Sequence, residues 1–311
     1  MLFAVALAYN EPEELPALAR AAEEAGFGSV ILSDHLVYPE TLATPYPYTK
    51  SARPPWQPDT PWPDPFVAAA SLAAVTTRLR FIVSVFVLPM RAPVLAAKTV
   101  LTTAVMTGGR LELGVGAGWM REEFDVVDIP FATRGRRLDE AMEVLRKFQA
   151  GGVVEHRGEF FDIPPVRMEP VPEAPIPIYG GGVSPRALQR AATRCDGWAG
   201  MIQSRAELPA LLGELRRLRA DSPRAQDPFS ITTATRDAND EVGYREMEAL
   251  GITNLITAPW LLYGVDPRTA TCQEKCDAIR RFGEDVLARL GYAAPISESP
   301  AVGPRLPERG T

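Results

Sequence analysis

The sequence predicts an α/β fold, a (β/α)8 TIM barrel. Three observations carry that prediction. Short apolar runs alternate with amphipathic segments eight times along a chain of 311 residues, the arithmetic of a closed barrel. The apolar runs are continuous, as in parallel strands buried on both faces. The first run ends in Tyr9-Asn10-Glu11, where a doubly wound open sheet normally carries a glycine fingerprint.

The elements follow in order. Leu2 to Ala8 reads as the first strand. Glu13 to Ala25 has helical spacing, with Leu15, Leu18, Ala19 and Ala22 on one stripe and Gly26 as its stop. Ser29 to Leu32 is the second strand. Asp64 to Val75 is helical, with Asp64 as N-cap and Pro65 in the first turn. Leu79 to Leu88 is the third strand and Pro93 to Met106 its helix. Arg110 to Val115 is the fourth strand, and Arg137 to Phe148 is a helix with Leu138, Met142, Leu145 and Phe148 on one face. Ile176 to Tyr179, Asp196 to Met201, Phe229 to Thr235 and Asn254 to Thr257 are the remaining strands. Their helices are Pro185 to Thr193, Glu207 to Arg219, a segment ending at Leu250, and Gln273 to Leu290.

Residues 1–292 are thus expected to form one domain, with insertions after strands 2 and 4. Leu36 to Pro63 is too long for an ordinary connection and holds Tyr46, Tyr48, Trp56 and Trp62. Nine prolines lie between Pro39 and Pro65, and these stiffen it. Gly151 to Pro175 is expected to hold a short hairpin around His156-Arg157-Gly158. Residues 293–311, rich in Pro, Ser and Gly, read as a disordered tail.

Composition excludes several function classes. The formal net charge is -6, the wrong sign for a broad nucleic-acid-binding face. The two histidines, His35 and His156, argue against a multi-histidine metal centre, and no metal is expected. Cys272 and Cys276 have no second pair to complete a zinc site, and three cysteines without a secretory signal suggest a reducing compartment. MLFAVALAYN lacks a positive n-region, and no apolar run approaches the roughly 20 residues of a spanning helix. A cytoplasmic location, with no membrane or nucleic-acid partner, is the expectation.

Chemistry in this fold gathers at the C-terminal ends of the strands. That rule selects Ala8-Tyr9, Ser33-Asp34-His35, Ser84-Val85, Gly114 to Trp119, Gly180 to Ser184, Met201, Thr233 to Arg236 and Pro259-Trp260. His35 is the candidate proton donor or acceptor, since an imidazole titrates near neutrality, and Asp34 is expected to orient it. Gly180-Gly181-Gly182, with Ser184 as a helix N-cap, suits an anion. Gly116, Ala117 and Gly118 lack the third glycine of a dinucleotide fingerprint, but as a wall they suit a flat ring. Glu122-Glu123 reads as a charged helix start ahead of a general acid pair. Tyr9, Trp56, Trp119 and Trp260 are the candidate substrate-lining residues. The aromatic loop is expected to act as a lid that excludes water.

Five blocks together resemble the luciferase-like monooxygenase superfamily, and within it the oxidoreductases that use the deazaflavin coenzyme F420. They are GFGSVILSDH (26–35), LRFIVSVFVLPMRAP (79–93), GGRLELGVGAGWMREEF (108–124), IPFATRGRRLDEAMEVL (129–145) and PIPIYGGGVSPRALQRAATRCDGW (175–198). The resemblance thins beyond Ala220. It implies a flavin-like cofactor at the barrel mouth, F420 or alternatively FMN, and a small organic substrate. It places Asp34 and His35 beside the ring, a non-proline cis peptide at Ser84-Val85 against it, and the phosphate at Gly181-Gly182. It also implies a homodimer, and a reductase partner if the cofactor is FMN. Sugar-phosphate dehydrogenases of this family carry an acid where this chain has Trp119, and a tryptophan near where it has Pro39. Both departures argue against a sugar phosphate and for a more apolar pocket.

Overall fold

The structure is a computed structural model and describes residues 1–294. From residue 295 on, the predicted tail lies outside the described residues. The strands are β1 (Leu2–Ala6), β2 (Ser29–Leu32), β3 (Arg80–Phe86), β4 (Leu111–Val115), β5 (Val153–Arg157), β6 (Asp162–Arg167), β7 (Ile178–Gly181), β8 (Gly197–Gln203), β9 (Ser230–Thr235) and β10 (Asn254–Thr257). Eight of them close into a parallel barrel in the order β1-β10-β9-β8-β7-β4-β3-β2. The other two, β5 and β6, form the antiparallel hairpin expected after the fourth strand.

The helices are α1 (Leu15–Ala25), α2 (Pro65–Ala73), α3 (Pro93–Met106), α4 (Arg121–Val126), α5 (Arg134–Gln149), α6 (Pro185–Arg194), α7 (Leu208–Ala220), α8 (Glu241–Ala249), α9 (Pro259–Leu262) and α10 (Cys272–Phe282). Asp64 caps α2 by accepting from the amides of Phe66 and Val67. The predicted last helix runs on from α10 as a π-helical segment, Gly283–Ala288. None among the described residues is long and apolar enough to cross a membrane.

Two main cores fill the molecule, with a small third cluster of Val87, Met90 and Phe124. The larger lies between strands and helices, where Phe3, Leu18, Phe81, Leu145 and Phe282 are buried. Each such side chain contributes about 1.5–3 kcal/mol by leaving water. The smaller fills the barrel itself: Ala4, Ile31, Ile82, Tyr179 and Ala199 are buried, with Ile256 and Val85 packed against them. Below it, polar side chains pair at the N-terminal strand ends. Tyr179 donates to Glu112 at 2.7 Å, Arg80 pairs with Glu112, and Asn254 donates to Ser29 at 2.9 Å.

Of the strand ends that differ from the sequence prediction, three have a clear local reason. The first strand stops at Ala6, because the Asn10 side chain takes the carbonyls of Leu7 and Ala8, both at 3.2 Å. The third stops at Phe86, because the Val87 amide donates to the Asp34 carboxylate at 2.9 Å. The strand predicted at Ile176 starts at Ile178, after Pro177, which has no N–H to give. It runs on through Gly180 and Gly181, two residues past the predicted end at Tyr179.

Candidate active site

His35 leaves the C-terminal end of β2 and is half-buried. Its Nδ1 lies 3.3 Å from both carboxylate oxygens of Glu123, a residue of α4 that is only 2% exposed. A carboxylate only accepts, so Nδ1 carries the proton that faces it and Nε2 is the atom left to exchange one. Nε2 makes no hydrogen bond among the described residues. The partner of His35 is therefore Glu123, which sequence reading treated as part of a charged helix start.

Asp34 does something else. Its carboxylate forms a bidentate pair with Arg91, at 2.6 and 2.7 Å, and accepts from the Val87 amide. The expectation that Asp34 orients His35 is corrected on this geometry. The two side chains, just beyond the end of β2, face different partners. Burial pushes the Asp34 carboxyl above its usual range, against the pull of the Arg91 guanidinium and the Val87 amide.

Glu123 also accepts from the Leu36 amide at 2.7 Å. Glu122 accepts from the amides of Ala43 and Thr44 at 2.8 and 2.9 Å. Partial burial raises the Glu122 carboxyl, but bonds from backbone amides and from Thr44 outweigh it and hold it below the usual range. The two acids thus fasten the long loop after β2 at its start and a turn later.

That loop brings its rings down onto His35. Trp62 and Trp56 lie 4.8 and 4.9 Å from the imidazole centroid to centroid, and Trp119 lies at 6.3 Å. Tyr46 packs edge-on against Trp56 and Trp119 at 5.2 and 5.0 Å. Tyr9, at the end of β1 with φ of 68°, stacks on Trp56 at 6.2 Å and meets the edge of Trp62 at 5.5 Å. Of the four candidate substrate-lining residues, Tyr9, Trp56 and Trp119 are brought together here. Trp260 is not: it is 2% exposed within the large core and makes no ring contact with this cluster. Trp62, absent from that set, belongs to it; its signal was its place in the same proline-rich insertion.

The glycine segments have a role different from the one the sequence suggested. A Cβ on Gly116 would sit 2.5 Å from Val85 Cγ2, and one on Gly181 would sit 2.6 Å from Val85 Cγ1. Val85 therefore occupies a slot between two glycines and closes the top of the interior core. Gly118 makes room for Phe124 and Val87, and Gly180 for Ala191 of α6. None of the four leaves an open notch for a ligand; protein atoms fill each one. Gly182, with φ of 104°, takes a backbone conformation that side chains rarely adopt. Ser184 caps α6 by accepting from the Ala187 amide at 3.3 Å. The Ser84–Val85 peptide bond is cis. Ala8, Ala117 and Val85 are half-buried around the same mouth, and Asn10 Oδ1 is buried there without a partner among the described residues.

Two cavities, of about 430 and 360 Å³, open elsewhere, one between α5 and α6 and one beside α7. His156 pins the hairpin to α5 through Glu140 and Lys147, both at 3.1 Å.

The mouth of this barrel, with one histidine held by a buried acid under an aromatic loop, defines a class with close precedent. Residues 3–251 match the family described as luciferase-like monooxygenase, and the chain belongs to that family. An uncharacterised protein of Mycobacterium tuberculosis is 38% identical over 273 residues, covering 88% of this chain and 94% of its own. Among solved structures, the monooxygenase RslO1 of Streptomyces bottropensis superposes with a TM-score of 0.71 at 18% identity, over 93% of this chain and 100% of its own. The coenzyme F420-dependent tetrahydromethanopterin reductase of Methanopyrus kandleri gives 0.70 at 14%, over 93% and 99%. At such identities the likeness is one of fold.

Proposed function

We propose that the chain is an oxidoreductase that moves a hydride between coenzyme F420 and a small organic substrate, with His35 Nε2 exchanging the proton. The observation that carries this reading is the His35–Glu123 pair at the barrel mouth, which leaves Nε2 unbonded beneath a cluster of rings. The residues present fit a flat, polar-edged cofactor. Val85, backed by Gly116 and Gly181, gives its ring a surface to rest on. The unpartnered Asn10 Oδ1 offers an acceptor for a ring N–H. The start of α6, after Gly182 and at Ser184, presents backbone amides of the kind that bind phosphate. A bound deazaflavin supplies the hydride donor or acceptor; the chain positions the substrate, excludes water and handles the proton.

The resemblance of the Asp34-His35 segment to F420-dependent relatives, and the likeness in fold to one such reductase, favour the deazaflavin. The family's own description favours a second reading, a monooxygenase using reduced FMN and oxygen. Titrating the purified chain with each cofactor and following ring fluorescence separates them. Binding of F420 is expected; tight FMN binding without an F420 response overturns the first reading for the second. His35→Ala is expected to lower turnover about 10²–10⁴-fold and to change cofactor affinity only a few-fold. Unchanged turnover would remove His35 from the chemistry.

A further inference from the structure

We propose that the rings around His35 bind an uncharged, flat cyclic substrate bearing a carbonyl-type acceptor, and that Trp62 Nε1 donates the hydrogen bond to that acceptor. Trp62 Nε1 is buried and has no partner among the described residues, while its ring lies against His35, Tyr9 and Trp56. A buried donor without an acceptor is costly and is relieved by a ligand that supplies one. The ring faces and edges supply the flat apolar surface, worth most to a planar molecule.

Charge on the ligand is disfavoured from every side. Of the acids nearest the cluster, Asp34 is engaged by Arg91 and Glu123 by His35 and the Leu36 amide, while Glu122 takes two loop amides on Oε1 and keeps Oε2 buried without a partner among the described residues. The loop's only bases, Lys50 and Arg53, are exposed. A carboxylate or phosphate would leave water without a cation to meet it. A cation would find ring faces but would also meet the indole N–H, a donor. Burial raises the Tyr9 hydroxyl to about 12 and pushes Tyr46 and Tyr48 up as well, in keeping with a cluster that holds neutral groups.

The inference rests on the proposed redox reading only in setting the substrate against His35. Its test therefore measures binding, with and without saturating cofactor, and follows cofactor binding separately by its own fluorescence. Four probes share a phenyl ring: acetophenone, ethylbenzene, benzoate and phenyltrimethylammonium. Calorimetry is expected to rank acetophenone first, with benzoate and phenyltrimethylammonium weaker than both neutral compounds. Trp62→Phe keeps a ring and loses the donor. It is expected to weaken acetophenone about fivefold more than ethylbenzene, the scale of one hydrogen bond. Tighter binding of either charged probe, or equal loss of both neutral ones in the variant, overturns the proposal. So does failure of every probe on protein that binds cofactor. Probe binding in the expected order without any cofactor binding would support it and count against the redox reading. The wild-type ranking decides by itself should the variant not fold.

Discussion

Adding one methyl group at Gly116 tests how the barrel is closed. In Gly116→Ala the new Cβ would lie 2.5 Å from Val85 Cγ2 and 3.3 Å from Val85 Cβ, against roughly 3.5–4.0 Å for an ordinary carbon contact. Val85 is β-branched and stiff about χ1, and on its other side Gly181 leaves it no spare room. Overpacking of this kind costs about 1–3 kcal/mol. Replacing glycine stiffens the unfolded chain and returns about 0.4–1 kcal/mol. The single variant should therefore lose up to about 2.6 kcal/mol, read as a lower urea midpoint by tryptophan fluorescence. Val85→Ala removes the obstructing methyls at a cost of about 1 kcal/mol, since the side chain is only half-buried. In the double variant the collision is gone, so the two effects should couple favourably by about 1–3 kcal/mol. Additivity within about 0.5 kcal/mol would mean that Val85 does not fill this slot. Gly181→Ala should be rescued less completely, because its Cβ also meets Val115 O at 3.1 Å.

Three further predictions rest on other parts of the site. Glu123→Gln keeps an acceptor for the Leu36 amide but gives up the charge beside His35; turnover should fall about 10- to 100-fold while the thermal midpoint hardly moves, and a matching loss of stability would make Glu123 merely structural. Arg91→Ala strips a buried aspartate of its partner and should cost about 3–5 kcal/mol near pH 8. Burial already raises the folded-state Asp34 carboxyl above its unfolded value, so the folded state holds the proton more tightly, and stability from this group is present at low pH and lost as pH rises through the folded value. Denaturation at pH 5 should therefore show a smaller loss than at pH 8; a constant loss would contradict the assignment. Finally, burial pushes the Cys195 thiol up to about 12 and the Cys276 thiol up to about 11. A disulfide reagent at pH 8 should find one fast thiol, Cys272, in native protein and three after denaturation; rapid labelling of Cys195 would contradict its burial.

The barrel was legible because its signal is local. Apolar runs and helical stripes are written within ten or fifteen residues, and each capped or glycine-stopped segment reports its own end. What escaped was set across the chain. Nothing near Val87 announces that its amide will serve Asp34, and nothing near Glu123 announces a histidine 88 positions away. Asp34 and His35 misled because adjacency in sequence suggested contact, whereas the two side chains face different partners. The glycine segments were read as openings for a ligand, and Gly116, Gly118, Gly180 and Gly181 prove to be close approaches of protein atoms. A missing side chain marks a close approach, and sequence alone does not say whether a ligand or a valine makes it.

The attachment of the long loop has a consequence for how this enzyme can change. Leu36, Ala43 and Thr44 are all held through their main-chain N–H groups, which every residue except proline possesses. The two glutamates of α4 therefore grip the loop's course mainly through its backbone, with the Thr44 side chain alone adding to the hold on Glu122. On the proposed function, exchanging the loop's tryptophans and tyrosines is expected to change the preferred substrate while these amide bonds remain. On that reading selectivity and proton handling are mechanically separable, and the loop is the part to diversify when a new substrate is wanted.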